Sequence, residues 1–301
     1  PQHVMSKTVA VFGRLYPSDL NEKVELLIKD LFDNNIELVI NEPFYDFINA
    51  RTNAVKGVQV YDRSSFHNFN VDLMLVLGGD GTYLDATTFI RDSGIPILGI
   101  NTGRLGFLSG ASINEYNLIA PAILENDFEK YERATIRLEA STPLFEGANF
   151  ALNEVTVHKK DSSSMISIHS FLDDQFINTY WADGLIVATP TGSTAYSLSC
   201  GGPILFPGSK NFVITPVAPH NLNVRPIVIP DHKTLKLKIE GRSSSFLVTL
   251  DSRSKAIDSS IELTITKNSF FIQLLRLRHH TYLGTIRNKL NWGLDKRNII
   301  S

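Results

Sequence analysis

Gly78-Gly79-Asp80-Gly81-Thr82 places one carboxylate among three glycines, directly after the apolar run Leu73-Met74-Leu75-Val76-Leu77. Glycines let a backbone turn sharply and approach a ligand closely, and free N–H groups at the start of a helix suit phosphate. Tyr83 to Ile90 supplies such a helix through the spacing of its apolar residues. A loop that only cradled phosphate would have little use for an aspartate, whose charge repels the anion. Asp80 therefore reads as a chemical group, with capping of the helix at Thr82 as the competing structural role. A second loop, Asp183-Gly184 through Thr189-Pro190-Thr191-Gly192-Ser193-Thr194-Ala195-Tyr196, is rich in small hydroxyl residues. Thr191, Gly192, Ser193 and Thr194 could offer donors at the start of a helix running toward Leu198, or form an ordinary N-cap.

The elements that must position these loops are legible as patterns. Thr8–Arg14 reads as a strand, followed by a helix with Leu20, Val24, Leu27, Ile28 and Leu31 on one face, and Ile36–Ile40 as the next strand. The run before Gly78 suits a strand buried on both faces, and Ile95–Ile100 another, ending at Asn101. Such alternation predicts a doubly wound α/β domain with a parallel sheet, over residues 5–128. Gly103-Arg104-Leu105-Gly106-Phe107-Leu108 follows the end of a strand, where ligands collect in open α/β sheets. Arg104 could meet phosphate or be solvated. Ser112 with Glu115 reads as a capping box ahead of a helix carrying Tyr116, Ile119 and Ile123.

From Glu129 the texture changes to short alternating strands at 134–140, 151–158, 167–172, 176–181, 235–239, 246–250 and 261–265. These predict a β-rich domain over 129–280, with residues 281–301, including a helix at Tyr282–Leu290, returning to the first domain. With 301 residues, 43% of them hydrophobic and 20% charged, the chain can bury a sizeable core. A net charge of -2 gives no electrostatic reason to expect nucleic acid or an anionic membrane. The single cysteine, Cys200, excludes an internal disulfide and reads as a packing residue. With no long apolar span or secretory signal, a cytoplasmic enzyme is expected. Pro1-Gln2-His3-Val4 read as foreign to the fold. His279-His280 has no third ligand at a metal-like spacing, and Trp292 reads as an anchor for the C-terminus.

Taken together, Gly78–Thr82, then Asn153-Glu154, then Asp183-Gly184 with Thr189–Tyr196 resemble the NAD kinase family in order and separation. Gly201-Gly202-Pro203-Ile204, Pro219-His220-Asn221-Leu222 and Arg225–Pro230 resemble further family segments, so the similarity covers nearly the whole chain. The resemblance implies transfer of the terminal phosphoryl group of ATP to the 2′-hydroxyl of the adenosine ribose of NAD, giving NADP, with a divalent metal, magnesium, accompanying ATP. It implies Asp80 as the catalytic carboxylate. Gly79, Asp80, Gly81, Asn153, Glu154, Asp183, Thr194, Ala195, Tyr196 and Asp251 would meet NAD. Gly78, Gly79, Gly81, Thr82 and Arg104 would meet phosphate, and no residue is read as a protein-borne metal ligand.

Asn153 and Glu154 correspond to the family pair that recognises the adenosine end. Neighbours on a regular strand point oppositely, so this pair needs a strand end or a bulge to face one ligand. Asp251 is followed by Ser252 where the family usually has glycine, and Trp181 stands where many bacterial members carry a basic residue, which leaves the preference between NAD and NADH open. The resemblance also implies a homo-oligomer, a tetramer or dimer, with Asp183 near a subunit boundary. Two other readings share some of these features. A lipid kinase would share the glycine-aspartate turn, and a non-catalytic regulator would bind the dinucleotide without transfer.

Overall fold

The computed structural model describes residues 6–103, 105–160, 165–242 and 245–293, so Arg104 and the segment before Ser6 lie outside the described residues. The chain divides into two compact units, one running through Tyr131 and resuming at Gln273, the other spanning Glu132–Ile272.

The first unit contains β1 (Thr8–Gly13), α1 (Asn21–Asp33), β2 (Glu37–Asn41), α2 (Glu42–Asn49), β3 (Gln59–Tyr61), β4 (Leu73–Leu77), α3 (Asp80–Ile90), β5 (Ile97–Asn101), β6 (Ala111–Ser112) and α4 (Tyr116–Glu125). Its strands pair in parallel in the order β3-β2-β1-β4-β5. Every residue of β4 is buried, as a strand covered on both faces requires. Helix α1 buries Val24, Leu27, Ile28 and Leu31, the face expected from their spacing. Successive strands step outward from β1 to β3 on one side and from β4 to β5 on the other. The carboxyl ends of β1 and β4 thus flank the point where strand order reverses, the place where open α/β sheets bind ligands. The Gly78 turn leaves the sheet there.

In the second unit lie most of β7 (Glu129–Ala140), then β8 (Phe150–Ala151), β9 (Glu154–Lys159), β10 (Ile166–Leu172), β11 (Gln175–Ala182), β12 (Gly184–Ala188), α5 (Tyr196–Ser199), β13 (Asn211–Val217), β14 (Ile227–Pro230), β15 (Leu235–Gly241), β16 (Phe246–Leu250), β17 (Arg253–Ile257) and the first part of β18 (Leu263–Arg276). One antiparallel sheet has the order β14-β13-β12-β9-β16-β17. The other runs β11-β10-β15-β18, and β7 pairs with both β18 and β8. Ile166, Ile168, Leu235 and Leu237 of one sheet and Val155, Val157, Leu185 and Val187 of the other share a single core.

Strands β12 and β13 were not expected as strands. They are buried almost throughout, so they show none of the alternation that betrays a half-covered strand. Strand β18 extends well past the expected 261–265, and its last residues enter the first unit, where Leu274 and Leu275 pair in parallel with Ile97 and Leu98 of β5. Helix α6 (Tyr282–Leu290) follows and belongs to that unit, with Lys289 Nζ donating to the Leu105 carbonyl at 2.9 Å. Trp292, expected as an anchor, is 54% exposed. No described helix is long and apolar enough to cross a membrane.

Candidate active site

In the first unit, Asp80 is the opening residue of α3, and the N-cap position belongs to Gly79, which has no side chain to offer. The capping role is therefore not the one Asp80 fills. Its carboxylate leaves the helix to accept from the backbone N–H of Phe107 at 2.9 Å and of Leu108 at 3.0 Å, one on each oxygen. Gly106 permits this approach, because a Cβ there would lie 2.1 Å from Asp80 Oδ1. The carbonyl of Phe107 in turn accepts from Arg276 Nη2 at 2.7 Å, and Arg276 is wholly buried. Burial pulls its guanidinium pKa down, opposed by the neighbouring Tyr131, Tyr83, Tyr282 and Asp80. A peptide clamped between a buried guanidinium and a carboxylate holds Asp80 in one orientation, with a lone pair left on each oxygen.

Beside that carboxylate, Gly79 and Gly81 have open space where a side chain would stand. The first N–H groups of α3 have no carbonyl one turn back to bond. Thr82 is buried against Gly78, whose absent Cβ would fall 2.4 Å from Thr82 Oγ1. It shapes the turn from beneath.

In the second unit, β8 ends at Ala151 and β9 begins at Glu154, so Asn153 and Glu154 sit at the break that their shared orientation demands. The backbone is pinned there from two sides. Asp251, at φ 53°, accepts from the N–H groups of Leu152 and Asn153 at 2.8 Å each and of Glu154 at 3.2 Å. From the other side, Thr189 Oγ1 donates to the Leu152 carbonyl at 2.6 Å and its N–H to the Asn153 carbonyl at 2.9 Å. Gly192 lies so close that a Cβ would stand 2.0 Å from the Asn153 oxygen.

With the main chain so engaged, Asn153 Oδ1 and Glu154 Oε2 are buried with no partner among the described residues. Buried polar atoms are almost always bonded, and an exception calls for an explanation, such as a bound water or ion or a catalytic role. Burial and then the Asp251 carboxylate push the Glu154 pKa up to about 8. Asp251 is also pushed up by burial, but its three N–H donors favour the ionised form, so the negative charge of this pair resides on Asp251.

Along β9, Glu154, Thr156 and His158 share one face while Val155 and Val157 enter the core. His158 stacks on Tyr196 with ring centroids 5.6 Å apart, and burial lowers its pKa. Asp183 pairs with Lys159 at 2.6 Å, and the charges of Asp183 and Glu154 add to the burial that raises the Tyr196 pKa. Asn153, Glu154, Asp183, Thr194, Ala195, Tyr196 and Asp251 are thus all within the second unit. His158 and Lys159 were not anticipated, although the Glu-Val-Thr-Val-His alternation carries the signal for the first.

In the second loop, the helix expected to run toward Leu198 is short: a 3-10 turn at Gly192–Thr194 leads into the four-residue α5, which contains Leu198. The loop's hydroxyls turn inward: Ser193 donates to the Pro190 carbonyl at 2.7 Å and accepts from the Leu205 N–H at 2.9 Å, and Thr194 donates to the Thr191 carbonyl at 3.1 Å. Small hydroxyl side chains compete well for nearby backbone groups, and here those of Ser193 and Thr194 bond within the loop and to Leu205 while Thr189 braces Leu152 and Asn153. Cys200 is a free, partly buried thiol whose pKa burial raises, in keeping with packing. Among the described residues, His279 and His280 meet a third group after all, the carboxylate of Glu115.

Residues 28–128 match the ATP-NAD kinase N-terminal domain, and residues 152–276 match the ATP-NAD kinase C-terminal domain. The chain is 45% identical over 289 residues to the NAD kinase of Cytophaga hutchinsonii, spanning 96% of this chain and 99% of that protein. It is 44% identical over 292 residues to the NAD kinase of Flavobacterium psychrophilum, with the same coverage. The chain belongs to the NAD kinase family. The family match extends through both units, well beyond the glycine-aspartate turn that a lipid kinase would share. A yeast NADH kinase crystallised with NADH has the same fold, with a TM-score of 0.84 at 22% identity over 95% of this chain and 88% of that one. An Archaeoglobus fulgidus NAD kinase in complex with ATP gives 0.70 at 25% identity, covering 94% and 97%.

Proposed function

We propose that this chain transfers the terminal phosphoryl group of ATP to the 2′-hydroxyl of the adenosine ribose of NAD, yielding NADP and ADP. The observation that carries this reading is the pair of orphaned buried atoms, Asn153 Oδ1 and Glu154 Oε2, at a strand break held by Asp251. A carboxylate accepts from ribose hydroxyls, and an amide both donates and accepts, so the two meet the adenosine end of NAD. Asp251 acts through them, as a positioning residue. Asp183, Thr194, Ala195 and Tyr196 line the same NAD pocket.

Phosphoryl transfer needs alignment, charge neutralisation and a destination for the hydroxyl proton. Gly78, Gly79, Gly81 and Thr82 form the turn that receives the phosphates against the start of α3. In the transfer, a bond forms between the ribose oxygen and the terminal phosphorus, the bond from that phosphorus to the bridging oxygen of ADP breaks, and the proton passes to Asp80. Magnesium enters with ATP as part of the substrate. The turn offers one carboxylate, Asp80, which suits an ion held mainly by phosphate and water.

A homo-oligomer, a dimer or tetramer, belongs to this reading. It is supported by β11 and β14, which lie at sheet edges and expose Phe176, Trp181, Ile227 and Val228. Apolar edge strands are usually covered by a partner. Calorimetry with NAD above about pH 8, where the Glu154 carboxylate is ionised, tests the acceptor site: Glu154→Gln should weaken binding by about 1.5–3 kcal/mol, the worth of a hydrogen bond to a charged group. Unchanged NAD affinity in a folded variant would overturn the role of Glu154.

A further inference from the structure

We propose that Glu115, His279 and His280 form a binding site for a divalent transition metal of the zinc class, separate from the magnesium that travels with ATP. Their ligand atoms lie within 4.8 Å of one another. His280 Nε2 is 2.8 Å from Glu115 Oε2 and 3.1 Å from Oε1, and His279 Nε2 is turned on the same Oε1. A tetrahedral ion at about 2.0–2.1 Å from each ligand would set these atoms about 3.3 Å apart, so the ring nitrogens need only draw back slightly from the carboxylate oxygens to admit it.

Each ligand is held by its own local structure before any metal arrives. Glu115 closes the capping box ahead of α4, its Oε2 accepting from the Ser112 N–H at 2.7 Å. His279 and His280 are fixed between the end of β18 and the cap of α6, where the His280 N–H bonds the Leu277 carbonyl at 2.9 Å and Thr281 Oγ1 accepts from Gly284. The donor set is what argues for a cation. One imidazole is enough for an ion pair with one carboxylate, yet here two rings, with centroids 4.5 Å apart, aim the same nitrogen at one carboxylate. Two imidazole nitrogens and a carboxylate oxygen are a donor set that suits a dication of the zinc class. The His279 side chain is 55% exposed, against 22% for each of the other two, which leaves an open side where water completes the coordination. Magnesium and calcium prefer all-oxygen ligands and would not compete.

An ion here would tie the start of α4 to the start of α6, the helix whose Lys289 holds the Leu105 carbonyl. The full chain, stripped with chelator and dialysed into excess magnesium, is titrated with zinc by calorimetry and with cobalt by visible absorption, and its melting temperature is read with and without zinc. One ion per chain is expected, with a zinc-dependent rise in melting temperature. His279→Gln and His280→Gln, which leave the Glu115 cap intact, should each weaken zinc binding by about tenfold or more and remove the thermal shift. Cys200→Ser should bind zinc as the parent does. Absence of zinc uptake by the parent chain, or uptake that survives the double histidine substitution, would reduce the cluster to an ion pair and overturn the proposal.

Discussion

The two carboxylates of the proposed reaction do different work because their surroundings differ. Asp80 has one N–H donor on each oxygen, whereas Glu154 has a buried, unpartnered Oε2 beside the charge of Asp251. Asp80→Asn keeps the size but loses the basicity, and its amide must point an NH2 at one of two N–H groups. Turnover should fall by roughly 10²–10⁴-fold, as for loss of a positioned base, with NAD affinity largely kept. Near-normal turnover in the folded variant would reject the proton-accepting role. For Glu154, ionisation near 4.5 in an unfolded chain becomes about 8 in the native one. The native state therefore keeps a proton that the unfolded chain releases between those values, so stability falls as pH rises through that window. The favourable contribution is whole below the lower value and gone above the upper. Glutamine cannot ionise, so the melting temperature of Glu154→Gln relative to the parent should rise steadily from about pH 5 to about pH 8.5. A constant difference across that range would mean that Glu154 is ionised throughout. The glycine-aspartate turn and the Asn153-Glu154 pair were both readable as residues. What could not be read was that Asp80 serves the 107–108 backbone and that Asp251 serves the 152–154 backbone, since those partners lie far away in sequence.

Elements confine these residues through close backbone approaches rather than through long side chains. Gly106 lets the 106–108 segment reach Asp80, and Gly192 lets the second loop rest on Asn153. In Gly106→Ala the methyl must displace that segment from Asp80, breaking the two N–H bonds that orient the carboxylate. Turnover should drop by about 10²-fold, the cost of misplacing a reacting group by about an ångström, while calorimetric NAD affinity stays near the parent's. Parental turnover would show that this orientation is dispensable. The same scale explains what the pattern of the chain disclosed. The buried run of β4, the face of α1 and the capping box at Ser112 and Glu115 each follow from local spacing and were all anticipated. Strands β12 and β13 escaped because burial on both sides erases alternation. The hydroxyl-rich loop leads into only a short helix, and its side chains also satisfy its own backbone.

For the whole molecule, a parallel sheet and an antiparallel pair of sheets divide the chemistry of the proposed reaction: the turn proposed to receive phosphate and Asp80 lie in the first unit, and the residues proposed to recognise NAD in the second. The exposed edges of β11 and β14 predict assembly, and light scattering at assay concentration should report a dimer or tetramer. A fully active monomer would refute it. The most direct measurement remains turnover by the intact chain: a coupled assay for NADP with NAD, ATP and magnesium supplied together and with each withheld in turn. NADP should accumulate only in the complete mixture, with phosphate on the 2′-hydroxyl of the adenosine ribose. Binding of NAD without any NADP would make the chain a dinucleotide-binding regulator, and phosphate transferred to a lipid alcohol instead would make the glycine-aspartate turn that of a lipid kinase; either result would contradict the account.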